Sequence, residues 1–187
     1  MCFRMLFFGF LLGMFSCNVS NDGLSNKQIV EAYISALNKA DFNEISNYIS
    51  DSIKVEELEF LLSDNMDDFH RMFQWDSVFN PYYELIDFQA LDQGVQMTLS
   101  KECKRILFLL DTALMTRSKL EFCEGRITRI QTYAYENMDF SKWEARRDTL
   151  IFWINIHHPD LNGFDITQTI QGGQNYLKAI KLYRNRY

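Results

Sequence analysis

Between residues 119 and 133 the chain runs Lys-Leu-Glu-Phe-Cys-Glu-Gly-Arg-Ile-Thr-Arg-Ile-Gln-Thr-Tyr. This reads as two strands joined at Glu124-Gly125, because an acidic residue followed by glycine supplies the positive φ that a two-residue hairpin turn needs. The flanking Leu120, Phe122, Ile127, Thr128, Ile130 and Tyr133 suit a pleated, half-buried surface. Helical patterns lie toward both ends of the chain, so the hairpin is expected to form the middle of a sheet that helices cover.

The segments before it alternate between the two periods. Ser25 and Gln28 have the spacing of a capping box, and Ile29, Val30, Tyr33, Ile34 and Leu37 then share one helical face. Asp41 starts a second helix, with Glu44 as its capping partner, Phe42, Ile45 and Ile49 as its apolar side, and Tyr48 beside them. Residues 51–60 read as a strand with Ile53 and Val55 inward. Residues 64–79 read as a third helix with Met66, Phe69, Phe73 and Val78 inward, which Pro81 prevents from continuing. Strands follow at 82–91 and 95–100, the second alternating Val95, Met97 and Leu99 against Gln96 and Thr98. Residues 103–114 fit a short helix better than a half-exposed strand.

After the hairpin the helical period returns. Ser141 and Glu144 have capping-box spacing, and Trp143, Leu150, Trp153, Ile154 and His157 fall on a helix that Pro159 closes. Gly172-Gly173 precedes a last helix with Tyr176, Leu177, Ile180 and Tyr183 in one stripe. Lys178, Lys181, Arg184 and Arg186 suit its C-terminal end. Trp143, Trp153 and Tyr176 are expected to be largely buried, and His157 to pack on the core.

Two helices, a strand, a helix and then a curved sheet is an order that resembles the nuclear-transport-factor-2-like (NTF2-like, or SnoaL-like) family. Val30 to Phe42 is similar to that family's opening helix and turn, and Phe122 to Ile130 to its late Phe-x-x-Gly-Lys-Ile pattern. Trp143 and Trp153 resemble features of a bacterial secreted branch. The resemblance implies an α+β cone: a curved antiparallel sheet covered by N-terminal helices, here with a C-terminal helical extension from about residue 140. Family members include isomerases, cyclases, dehydratases and binding modules, so the fold says little about function.

Residues 1–17 read as a leader. Arg4 is followed by an apolar run, residues 5–15, too short for the roughly 20 residues that span a bilayer and suited to a signal-peptide core. Met14-Phe15-Ser16-Cys17 resembles a bacterial lipobox, with Cys17 as the thiol that accepts the diacylglycerol; further acyl chains would complete the anchor. An ordinary signal peptide cut nearby, or an uncleaved anchor, are the alternatives. Residues 18–26 read as a polar tether. Asn18 stands where Asp would mark inner-membrane retention in enteric bacteria, which favours the outer membrane facing the periplasm. Residues 27–187 are read as a single domain, large enough for a real core.

Hydrophobic residues make up 47% and aromatics 15%, so the chain folds; its formal net charge of −6, or −7 without Arg4, argues against nucleic acid. A cone of this type encloses an apolar pocket carrying a few polar groups. Tyr33, Tyr48, His70, Trp75 and Tyr133 are the candidates, the competing reading being core aromatics whose polar tips reach the rim. Asp87 is the candidate for a carboxylate base, provided it points inward with Leu85 and Gln89. The acidic run Asp51, Glu56, Glu57, Glu59, Asp64, Asp67, Asp68 lacks the glycine of a calcium loop and reads as a solvated face. His157-His158 lacks a third ligand, and adjacent side chains on a helix diverge by about 100°. No metal, cofactor or catalytic residue is implied. Cys103 and Cys123 are expected at opposite ends of a strand pair, about 20 Å apart, as free thiols.

The expectation is therefore a membrane-tethered cell-envelope lipoprotein whose NTF2-like domain binds a small apolar ligand or a protein partner. The competing readings are an isomerase- or cyclase-type enzyme in the same cone, and a structural module filled by its own aromatics.

Overall fold

The computed structural model describes residues 23–186. The leader, with Cys17 and Cys2, lies outside them, as does most of the tether. Six helices and six strands follow in the order α1 Asn26–Lys39, α2 Phe42–Ser46, β1 Ile49–Glu57, β2 Phe60–Ser63, α3 Met66–Ser77, β3 Tyr82–Ala90, β4 Val95–Glu102, α4 Lys104–Leu110, β5 Leu114–Cys123, β6 Arg126–Tyr135, α5 Phe140–His157 and α6 Ile170–Arg184, with a 3-10 turn at Pro159–Leu161 between the last two.

The helix starts follow local capping chemistry. Ser25 and Gln28 form the reciprocal capping box, and Asp41 caps α2 by accepting from the Glu44 amide. Asn65 and Asp139 cap α3 and α5, so α5 starts two residues before the Ser141 box that its sequence suggests. Thr169 caps α6, which places Gly172 and Gly173 inside its first turn and not ahead of it.

The six strands form one sheet in the order β2-β1-β6-β5-β4-β3. The expected hairpin is its middle: Glu124 and Gly125 both have positive φ, 50° and 69°, and β5 pairs antiparallel with β6. The expectation of a wholly antiparallel sheet is corrected, because β1 joins β6 in parallel. Strand β1 enters after the first two helices and reaches β6 across the whole chain, a pairing that no local pattern encodes. The run 51–60 is also not one strand. The chain turns at Leu58, whose φ is 54°, and β2 folds back on β1 without a turn glycine to announce it.

Three further irregularities matter for the site. Ile86 is an extra residue between the Leu85↔Leu99 and Asp87↔Thr98 pairs. Thr128 and Tyr133 are extra residues of β6 opposite β5. Each bulge shifts the in-out alternation by one and bends the strand. Such bends suit the mixed, curved sheet.

One apolar cluster lies between the sheet and helices α1 to α3, around Ile29, Val30, Ile45, Ile53, Phe69 and Leu120. A second joins α4 and the α3–β3 connection to the C-terminal helices, around Phe79, Ile106, Leu109, Leu150, Ile154 and Tyr176. Phe79 packs edge-on against both Trp75 and Tyr176, at 5.0 and 5.7 Å between ring centres. Tyr176 is buried as expected, whereas Trp143 and Trp153 are half-buried. His157 is exposed and lies beside the Trp153 ring, so the expectation of a core histidine is corrected. It sits in the last turn of α5, where the helix has left the second core behind.

Candidate functional site

The concave side of the sheet and the helices over it enclose a cavity of about 770 Å³. That lies within the roughly 300–1,000 Å³ of small-molecule sites. Its apolar walls include Phe69 and Met72 from α3, Met97 and Leu99 from β4, and Ile130 from β6. Leu62 and Gln168, both exposed, stand at its rim.

The wall is also studded with charged groups, Glu56, Glu57, Asp68, Arg71, Asp76, Lys101 and Arg105, alongside hydroxyl-bearing side chains. Asp76 lies seven residues after Phe69 on the buried stripe of α3. Lys101 continues the inward alternation Val95, Met97, Leu99 of β4. Lys101 Nζ donates to Asp76 Oδ1 at 2.6 Å, and the Tyr83 hydroxyl donates to Oδ2 at 2.6 Å. Burial pushes the Asp76 carboxyl up, but the charge and hydrogen bond of Lys101, with the Tyr83 bond, outweigh it and hold the group below the usual carboxylate range. Burial and the Asp76 charge push the Tyr33 and Tyr83 hydroxyls up, so both stay neutral. Asn38, near the end of α1, fixes Tyr83 by accepting from its amide at 2.7 Å and donating to its carbonyl at 2.8 Å.

Toward the C-terminal helices the wall carries Arg105, Trp75, Trp143 and Tyr135. The Arg105 guanidinium lies 4.8 Å from the Trp75 ring centre, 5.3 Å from that of Trp143 and 5.5 Å from that of Phe79. Cation–π attraction holds it there. Arg105 Nε and Trp75 Nε1 are buried donors with no acceptor among the described residues. The Tyr135 hydroxyl donates to Glu57, and burial together with that bond pushes it up.

Of the residues singled out in the sequence, Tyr33 and Trp75 line this cavity. Tyr48 instead packs at the edge of the first core, and His70 stacks on Phe42 at 3.8 Å. Tyr133 is the extra residue of a bulge and lies under Arg117 and Lys119, while the phase shift turns Tyr135 inward. Asp87 is exposed and off the wall. The bulge at Ile86 breaks the alternation that would have aligned it with Leu85, and Phe88 faces the core instead. In the acidic run, Asp51, Glu59, Asp64 and Asp67 are exposed, but Glu56, Glu57 and Asp68 turn toward the cavity.

A shallower groove of about 390 Å³ lies between α4, α5 and α6. Its carboxylate, Asp111, accepts from Arg146 and Lys142, and those bonds hold it well below the usual range. This pairing clamps α4 to α5. Among the described residues no group of His, Cys, Asp and Glu could hold a metal ion, and no helix is long and apolar enough to cross a membrane.

No protein-family model matches the sequence, and no curated protein does. Solved structures match in shape. An NTF2-like protein of unknown function from Cytophaga hutchinsonii aligns with a TM-score of 0.50 at 10% identity, over 60% of this chain and 91% of that one. A candidate polyketide cyclase from Sinorhizobium meliloti gives 0.50 at 13% identity, over 60% and 97%. The epoxide hydrolase/cyclase-like enzyme of pyran ring formation in the polyether salinomycin gives 0.53 at 17% identity, over 62% and 94%. Identities this low establish shape alone. The chain has the α+β NTF2-like fold, with C-terminal helices added, and its chemistry has to be argued from its own cavity.

Proposed function

We propose that this protein is a cell-envelope lipoprotein, tethered through acylated Cys17, whose NTF2-like cone binds a small, largely apolar ligand. The observation that carries the binding half is the cavity of about 770 Å³, in which apolar wall from Phe, Met, Leu and Ile side chains alternates with charged and hydroxyl groups held on helices and strands. The self-filled structural module loses support for the same reason.

The enzyme of isomerase or cyclase type is the weaker reading. A general base works best with a pKa near the operating pH. Asp76, the buried carboxylate here, is shifted the other way and already gives both oxygens to partners. The cavity offers a shape and fixed donors, which is what binding requires. The anchor rests on the lipobox-like Met14-Phe15-Ser16-Cys17, and an outer-membrane address facing the periplasm rests on Asn18.

Native mass spectrometry of the chain purified from its own envelope tests both halves together. The expected spectrum shows a diacylglycerol-modified N-terminus at Cys17 and an additional small mass that leaves on denaturation. An unacylated chain would overturn the anchor, and a chain that never carries a releasable molecule would overturn the ligand. Cys17→Ser should release the protein from the membrane fraction. A variant that stays there at the wild-type level points to an uncleaved helix instead.

A further inference from the structure

Four carboxylates reach the cavity wall, and each has a partner. Glu56 pairs with Arg129, Asp68 with Arg71, Asp76 with Lys101 and Tyr83, and Glu57 accepts from Tyr135. Arg105 differs. Among the described residues it makes no ion pair and no hydrogen bond, although it is half-buried and lines the cavity. Asp76 acts on it through its charge, with no hydrogen bond between the two.

An arginine cannot shed its charge to relieve this situation. Trp75, Trp143 and Phe79 hold the guanidinium against their rings, which leaves its in-plane N–H edge unused. Beside it, Trp75 Nε1–H also lacks an acceptor. Two donors on the same cavity wall, one from α3 and one, a cation, from α4, have no acceptor among the described residues, and a single anionic oxygen-bearing group from a ligand would serve both.

Building on the ligand-binding reading above, we propose that Arg105 and Trp75 form the head-group subsite of the cavity, and that the ligand is a small carboxylic acid with an apolar body. A carboxylate presents two oxygens in one plane. It can meet the guanidinium edge with one or both and the indole N–H with the other. The apolar body then lies along Met97, Leu99 and Ile130. Trp143 comes from α5, so the C-terminal helices complete this subsite and are not an appendage to the cone.

Octanoate and octanamide are the probes, titrated into the full-length chain and followed by tryptophan fluorescence and ligand-detected NMR. They share a tail and differ in the charge of the head. Octanoate is expected to bind about tenfold more tightly than octanamide, and Arg105→Gln to bring it to the amide's affinity. Arg105→Lys, which keeps the charge but loses the planar edge, should fall between. Equal binding of acid and amide, or octanoate affinity unchanged in Arg105→Gln, would overturn the subsite while leaving the apolar cavity intact as a binding site. Failure of both probes to bind would remove the ligand-binding reading and this one with it. The acid–amide comparison on the wild-type chain decides the question even if Arg105→Gln does not fold.

Discussion

At Asp76 a single side chain both stabilises the cone and sets its chemistry. Its ion pair with Lys101 is mostly buried, 13% and 23% exposed at the two side chains. Removing one partner from such a pair leaves the other charge without compensation, at about 3–5 kcal/mol. Because Lys101 keeps some solvent, Lys101→Met should cost about 3 kcal/mol at neutral pH, near the low end. The two proteins respond differently to pH. In the wild type the folded carboxyl lies below its unfolded value, so the pair's contribution is full above about pH 3.9 and is lost as pH falls through the folded value. In the variant burial is opposed only by the Tyr83 hydrogen bond and the charge of Arg105, so the folded carboxyl lies higher than in the wild type and takes up its proton earlier as pH falls. Urea denaturation at about pH 7 and about pH 3.5 should therefore show a gap that narrows on acidification. A gap of equal size at both would mean that Asp76 is not the group left uncompensated.

Much of this residue-level chemistry is legible in the sequence. Lys101 continues the alternation of Val95, Met97 and Leu99, and Asp76 falls on the stripe of Phe69 and Phe73. A charged residue on an otherwise apolar stripe is the signal that finds both. Placing Asp87 inward with Leu85 and Gln89 assumes a strict two-residue period, which the bulge at Ile86 breaks, and a bulge likewise takes Tyr133 off the cavity wall. Nothing in the composition of those strands announces an extra residue there. Arg105 had no local signal, because its surroundings come from α3, the α3–β3 connection and α5.

At the scale of elements, the first turn of α6 depends on small residues on two sides, Gly172 against the connection that precedes the helix and Gly173 against the end of α3. A Cβ on Gly172 would sit 1.8 Å from the Thr167 carbonyl oxygen, a backbone atom that cannot swing aside. One on Gly173 would press on Val78 at 3.1 Å and on the Trp75 carbonyl at 3.2 Å. Gly172→Ala should therefore destabilise by about 1–3 kcal/mol despite alanine's better helix propensity. The exposed Gln174→Ala on the same helix should be close to neutral, and equal melting temperatures for the two would refute the tight contact. Helix α5 gives a graded case. Trp153 is half-buried and touches Tyr183 edge-on at 5.7 Å. Its loss should cost about 2 kcal/mol, less than the roughly 3–5 kcal/mol of a fully buried aromatic. Tyr176→Ala, at 3% exposure, should reach the higher range. Helix positions of this kind were readable from the 3.6-residue period. The parallel β1–β6 pairing was not, since it is fixed by where the sheet has a free edge and not by any pattern within β1.

The whole molecule raises the question whether the cone can stand without its extension. Strands β4 and β5 pair so that Val95 faces Leu120 and Lys101 faces Leu114. Cys103 is thus buried at one end, while Cys123 is exposed beside the hairpin turn at the other. The buried side chains at the Cys103 end pack against the C-terminal helices. Phe79, Ile106, Leu109 and Leu110 belong to the cone by sequence, but their burial, 0–3% exposed, is shared with Leu150, Ile154, Phe164 and Tyr176. Uncovering those four side chains forfeits up to about 1.5–3 kcal/mol each, roughly 6–12 kcal/mol in all. That is comparable to the whole stability of a domain, about 5–15 kcal/mol. A chain ending at residue 136 should therefore fail to give a cooperative thermal transition, and should bind a dye for exposed apolar surface at temperatures where the full chain does not. A truncated cone that melts cooperatively near the full-length temperature would show the extension to be an independent unit. It would also sink the claim that Trp143 and α5 complete the cavity wall.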